Sequence, residues 1–282
     1  MKRDMHFMTK KIKFSRILIH LFLISYAITC LFPLLWMIST SLKSTSEVYT
    51  NKSLIPQSLN FENYIKAWTE GNFSIYFTNS VIYTISIVLG IVIVSTLAAY
   101  AFARLNFPFK NIIYYAFLMM MLIPIPGAFV PLYVLLVKLG IQNTRIGYIL
   151  PMINSGLSVS IFILKEFFEQ IPKELEESAV IDGCGKFQVY YKIMFPLALP
   201  AISTIVIFNA LSAWNEYILA AVNFTDPNKM PVQQGLFIFQ GQYFTRYELL
   251  MAATTITTLP IIMIYLSMQK YIVRSLTGAI KG

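Results

Sequence analysis

Charge and cysteine are what this sequence has least of. Only 12% of its 282 residues are Asp, Glu, Lys or Arg, and just thirteen are acidic. A soluble domain carries about 25% charged residues; the length would allow one or two such domains, but the hydrophobic runs make a membrane protein the better reading. The two cysteines, Cys30 in an apolar run and Cys184 in a polar loop, cannot form a disulfide framework and lack metal-ligand spacing. His20, near the start of an apolar run, reads as an interfacial polar residue. The chain has no G-x-x-x-x-G-K-[ST] loop. Gly183-Cys-Gly185-Lys186 lacks both the spacing and the following Ser or Thr. ATP hydrolysis by this chain is therefore not expected, and no catalytic or metal-binding set stands out.

What is present is apolar. Hydrophobic residues make up 57% of the chain, and the mean hydropathy is +0.65. A membrane span needs about 20 apolar residues, and six stretches qualify: 17–39, 75–102, 112–136, 146–164, 199–222 and 249–273. The expected fold is an all-α membrane protein of six transmembrane helices. Pro124, Pro126 and Pro131 in the third stretch predict a kinked or broken helix, tolerable where neighbouring protein satisfies the freed carbonyls. The first stretch follows a basic N-terminus as in a signal peptide. It is long and has no small-residue cleavage site, so it reads as a retained span.

The net charge of +9 does not point to nucleic acid, because the basic residues sit at the ends of apolar runs. Their placement sets topology. Fifteen Lys and Arg fall on one side: six in residues 1–16, then Arg104 and Lys110, four from Lys165 to Lys192, and Lys270, Arg274 and Lys281. The other side holds seven: Lys43, Lys52, Lys66, Lys138, Arg145, Lys229 and Arg246. The excess predicts cytoplasmic N- and C-termini. The domain reading is a cytoplasmic segment at 1–16 and a membrane domain at 17–282, with a cytoplasmic loop at about 165–198. The outer loop at 40–74 offers Tyr64 and Trp68 as interfacial anchors.

The organising stretch is Ile171 to Pro196. It holds Glu174, Glu176, Glu177 and Asp182, with Glu166 and Glu169 just ahead. It reads as two short helices. Pro172 suits a first turn, the glutamates sit at the positive dipole end, and Gly183 and Gly185 stop the first helix. Leu175, Ser178 and Ala179 share one face, Phe187, Tyr190, Tyr191 and Met194 form a stripe, and Pro196 ends the second helix. Such a helix either plugs into a groove on a partner or lies on the bilayer.

Two amides lie at midplane depth. Asn209 is about ten residues into the fifth span and Asn154 about ten from the end of the fourth. They either line a substrate path or make interhelical hydrogen bonds. Glu216 is an intramembrane acid and a functional candidate, or it reaches outer water. Trp214 and Tyr217 either stack on a sugar or anchor the interface.

Glu177-Ser178-Ala179, three residues, Gly183, nine residues, then Ile193-Met-Phe195-Pro196 resembles the EAA loop of bacterial ABC-importer permeases. It departs from that pattern at Ser178 and Phe195, where the family has Ala and Leu. Ile181-Asp182-Gly183 points to the carbohydrate-uptake permeases of the maltose-system type. Leu122-Ile-Pro124, Pro131-Leu-Tyr133, Lys138-Leu-Gly140 and Pro151 resemble the same group. Trp214-Asn215-Glu216-Tyr217 is similar to its W-N-E-F pattern, and Gly278-Ala-Ile-Lys-Gly282 to its G-A-V-K-G tail.

Together these resemblances cover roughly residues 75–282. They imply a type I importer bundle of five core helices plus one N-terminal span, in a bacterial inner membrane. Glu177, Ser178, Ala179, Asp182 and Gly183 would form the coupling helix that docks an ATPase. Asn154, Asn209, Trp214, Asn215, Glu216 and Tyr217 remain the candidate path. The implied partners are a second, non-identical permease, two ATPase copies carrying ATP and Mg, and an extracytoplasmic sugar-binding protein. A secondary transporter or channel acting alone is the alternative. A membrane scaffold would leave the loop spacing unexplained.

Overall fold

The run from Phe73 to Arg104 is predominantly apolar, with no charged residue before Arg104, and it forms one helix of 32 residues. At 1.5 Å per residue it is long enough to cross a bilayer. Small side chains let its neighbours approach closely, as is usual where helices pack without a hydrophobic driving force. A Cβ added at Gly90 would stand 2.4 Å from the Ile153 side chain.

The computed structural model describes residues 2–122, 125–241 and 243–279. The helices are α1 Lys2–Ser41, α2 Thr45–Thr50, α3 Glu62–Thr69, α4 Phe73–Arg104, α5 Lys110–Met120, α6 Ile125–Lys138, α7 Arg145–Gln170, α8 Glu174–Ile181 and α9 Lys186–Val189. Then come α10 Phe195–Leu197, α11 Leu199–Asn215, α12 Ile218–Asn223, α13 Val232–Gly235 and α14 Tyr247–Ala279. No strand occurs among the described residues, only an isolated antiparallel bridge between Gln240 and Thr245.

These residues fall into two compact units. The first comprises residues up to Glu70 and Phe239–Ile256. Its polar segment is organised by a buried lysine. Lys43 Nζ donates to the carbonyls of Asn51 (2.8 Å) and Ser53 (2.7 Å), so a residue that read as a topology charge is an internal clamp. Ser44 caps α2, and Tyr64 shares a 2.7 Å hydrogen bond with Ser41. Arg246 pairs with Glu70 at 2.6 Å.

The second unit, Gly71–Ile238 and Thr257 onward, is built on α4, with α7 and α11 packed against it. One core cluster gathers Ala99, Tyr100, Leu164, Phe168, Met194 and Ile205. Another gathers Tyr83, Ile87, Ile91, Tyr148, Met152 and Phe224.

Among the described residues, four helical segments are long and apolar enough to span a membrane: Arg16–Ser41, Phe73–Arg104, Arg145–Gln170 and Tyr247–Ser267. Lys186–Leu197 and Leu199–Asn215, bent by 74°, give a fifth if taken as one. The third expected span is broken, as its prolines predict, into α5 and α6. Of the motif Leu122-Ile-Pro124, residues 123 and 124 lie outside the described residues, as do residues 280–282 of the tail. The fifth expected span, 199–222, is interrupted at Glu216, which has extended backbone (φ −70°, ψ 129°).

Candidate functional site

The loop after α7 folds as two short helical pieces because glycine breaks it. Lys173 caps α8, and its carbonyl accepts from the N–H groups of Glu176 and Glu177. Pro172 therefore precedes the helix instead of opening it. The three glutamates of the first turn face the positive end of the dipole. At the other end Gly183 has φ +83°. Its N–H donates to Val180 O (3.0 Å), and that of Cys184 to Ala179 O (2.9 Å). These are the paired bonds of a Schellman cap.

The inward face is not the one periodicity suggests. Ala179 is buried in the core cluster, but Leu175 and Ser178 are exposed. The register is set by Glu176, one turn before Ala179. Its Oε1 lies 2.6 Å from Arg104 Nε, with the two side chains 16% and 6% exposed. The guanidinium also donates through Nη2 to the carbonyls of Phe168 (2.6 Å) and Ile171. Burial pushes the Glu176 carboxyl above the ordinary carboxylate value, opposed by Arg104 and then Lys173. The outward face keeps Glu177, Ser178, Asp182 and Gly183 in solvent. Apolar Val180 and Ile181, the latter 85% exposed, stand beside them.

The second piece departs from the expected stripe. Tyr190 and Met194 are buried, whereas Phe187 and Tyr191 are exposed. The inward side is instead Val189, Tyr190, Ile193 and Met194, and a π turn spans Tyr190–Met194, closed by Phe195 N–H to Tyr190 O. A π turn shifts the helical phase and lets Pro196, which has no N–H and crowds the preceding turn, continue the helix. The chain stays helical through Leu197 and bends at Ala198. Tyr190 is held to α4 by a 2.8 Å hydrogen bond with Thr96.

Two grooves run along α7 and α11 and share Ser155 and Ser212. One, of about 440 Å³, is lined by Gly156, Ser160, Phe208 and Asn209 among others. The other, of about 390 Å³, is lined by Pro151, Asn215, Glu216 and Tyr217 together with residues of α6 and α12. Asn209 Nδ2 donates to Ser160 Oγ (3.0 Å) and to Ile205 O (2.7 Å). Asn209 thus makes the interhelical hydrogen bond considered for it, and its side chain also lines a groove. Asn154 is exposed and lines neither groove. Trp214 is only 2% exposed, donates to Thr257 O (3.1 Å) and meets Phe77 edge-on, so it packs inside the unit.

Glu216 accepts from the N–H groups of Leu219 (2.6 Å) and Ala220 (3.2 Å) and from the Tyr148 hydroxyl (3.2 Å). Its carboxylate caps α12. Asn215 accepts from Gln233 (3.3 Å), and the Tyr217 carbonyl accepts from Gln234 (2.7 Å). Sequence reasoning missed the groove serines, Ser155, Ser160 and Ser212, which look like ordinary small residues in apolar runs. It also treated Arg104 as a topology charge alone.

Residues 86–278 match the family described as binding-protein-dependent transport system inner membrane component. The diacetylchitobiose uptake system permease protein NgcG of Streptomyces coelicolor is 34% identical over 260 residues, covering 92% of this chain and 86% of that one. The trehalose/maltose transport system permease protein MalG of Thermococcus litoralis is 34% identical over 272 residues, covering 95% and 98%. A crystal structure of a bacterial ABC transporter involved in alginate import shares the fold, with a TM-score of 0.82 at 23% identity, over 92% of this chain and 96% of that one. The chain therefore belongs to the binding-protein-dependent transport system inner membrane components and is a multi-pass permease subunit of an ABC importer.

Proposed function

We propose that the chain translocates a sugar or oligosaccharide across a bacterial inner membrane, driven by a separate ATPase. The observation that carries this reading is the two-sided loop at Ile171–Pro196. Its inner face is anchored in the bundle, and its outer face offers Glu177, Asp182 and apolar Ile181 to solvent. Such a surface fits a cleft on a partner, and movement of the ATPase would pass into the spans as rigid-body rotation. ATP and Mg would sit on that partner.

The remaining parts follow. Six spans are counted by joining α5 with α6 and α11 with α12, with both termini cytoplasmic by the basic-residue excess. Glu177, Ser178, Ala179, Asp182 and Gly183 form the coupling element, Ala179 as its inward anchor. The path runs along the two adjoining grooves, one lined by Asn209 and the other by Asn215, Glu216 and Tyr217, whose amides and shared serines suit hydroxyl-rich ligands. Relatives named for diacetylchitobiose and trehalose/maltose uptake support a carbohydrate cargo. A second, non-identical permease, two ATPase copies and an extracytoplasmic sugar-binding protein complete the assembly. A transporter acting alone would need a titratable relay, but Glu216 is committed to capping α12.

Tagged chain purified from its native membrane should bring down an ATPase and a second permease, and sugar uptake in vesicles should require added binding protein. Uptake by this chain alone, driven by an ion gradient without ATP, would overturn the reading.

A further inference from the structure

We infer that Arg104 is a positioning residue, the joint that fixes the angle of α8 to α4 and α7. The inference rests on the ATP-coupled reading above. Arg104 is the last residue of α4, and its guanidinium reaches two other elements at once. Nη2 donates to the carbonyls of Phe168 and Ile171, at the end of α7 and its C-cap. Nε stands 2.6 Å from Glu176 Oε1, in the first turn of α8. The carboxylate lies beside the Nε–H, not along it, so this contact is an ion pair.

The chemistry selects arginine. Carbonyls at a helix C-terminus lack their i+4 partner and carry partial negative charge; that of Phe168 otherwise accepts a 3.3 Å bond from Ile171 N–H. A planar guanidinium can serve them and a carboxylate simultaneously, whereas a lysine offers a single point charge. The remaining anchors of the α8 turn are apolar, Ala179 and partly buried Cys184. Apolar contacts hold position without fixing direction. The arginine supplies the direction, and it does so from α4, against which the groove-lining helices α7 and α11 pack. A tilt of α8 is thereby converted into movement of the groove walls.

The test compares Arg104→Ala, Arg104→Lys and the double variant Arg104→Met/Glu176→Leu, each as full-length chain in its purified complex in lipid nanodiscs. The double variant removes both charges and avoids the large penalty of a single buried unpaired one. Hydrogen exchange is read at residues 174–184, and ATP hydrolysed per sugar imported is read in proteoliposomes. The expected result is exchange at least about tenfold faster in Arg104→Ala, given the size of a broken buried pair, with Arg104→Lys intermediate. ATPase retention should be normal, and both Arg104→Ala and the double variant should hydrolyse several times more ATP per sugar. Unchanged exchange in Arg104→Ala overturns the inference, and that arm does not depend on ATP being the energy source. Wild-type coupling in the double variant overturns it too, because it reduces the pair to fold maintenance.

Discussion

Replacing Gly183 isolates the cost of one backbone conformation. Its φ is +83°, and a Cβ added there meets nothing within 4 Å, so a substitution is penalised by strain and not by collision. The left-handed conformation costs an ordinary residue about 1–2 kcal/mol. Asparagine visits it more readily, and a β-branched residue least. The two bonds of the Schellman cap, to Val180 O and Ala179 O, are worth about 0.5–1.5 kcal/mol each if the cap opens. Gly183→Asn should thus cost under about 1 kcal/mol, Gly183→Ala about 1 and Gly183→Val about 2. Two kcal/mol corresponds to about a thirtyfold rise in local opening. The assay is hydrogen exchange at residues 175–184 together with sugar-stimulated ATP hydrolysis. Both should degrade in the order Asn, Ala, Val while the spans stay inserted. Equal exchange in all three variants would refute the argument, since it would mean that the positive φ is not held in the membrane-embedded protein.

Asn209→Leu removes the bond to Ser160 and turns a groove wall apolar, so sugar uptake should fall about five- to thirtyfold, as for a lost polar contact of about 1–2 kcal/mol. Asn154→Leu, outside both grooves, should leave uptake kinetics within about twofold, since surface changes away from such features are near neutral; equal effects of the two would return Asn209 to a packing role. Glu216→Ala strips the cap from α12 and the partner from Tyr148, and should lower stability by about 2 kcal/mol, with Glu216→Gln retaining part of the cap. Thermal unfolding in detergent measures this, and an unshifted midpoint in Glu216→Ala would rule the cap out as a structural element.

Much of this was legible in the residues. Hydropathy marked α4, α7 and the long part of α14, and the prolines marked the division of α5 from α6. Gly183 was readable because glycine is the residue that most readily adopts the left-handed conformation a cap of that shape needs. The inward face of α8 was not readable. Leu175, Ser178 and Ala179 share a periodic face, but the register is decided by Arg104, 72 positions before Glu176 in the chain. The π turn was hidden for a similar reason, since it arises where a proline must be accommodated while Tyr190 and Met194 stay seated against α4. Trp214 was open between stacking on a sugar and anchoring the interface, and Glu216 between a functional acid and one reaching outer water. The chain breaks between them, sending the indole inward to Thr257 and the carboxylate onto α12. In wholly apolar helices periodicity cannot tell a lipid-facing side from a packed one, and tertiary contact settles it.

The central claim is that the exposed face of α8 transmits the work of an ATPase. Glu177→Lys tests it most directly, because it reverses a charge at the solvent-facing surface and touches no internal contact. If a basic residue of the ATPase faces Glu177, the reversal opposes like charges across the interface, which costs several kcal/mol. In the reconstituted complex Glu177→Lys should therefore lose ATPase co-purification or sugar-stimulated hydrolysis by at least about tenfold, and Glu177→Gln should lose far less. Wild-type ATPase stoichiometry together with wild-type stimulated hydrolysis in Glu177→Lys would contradict the account.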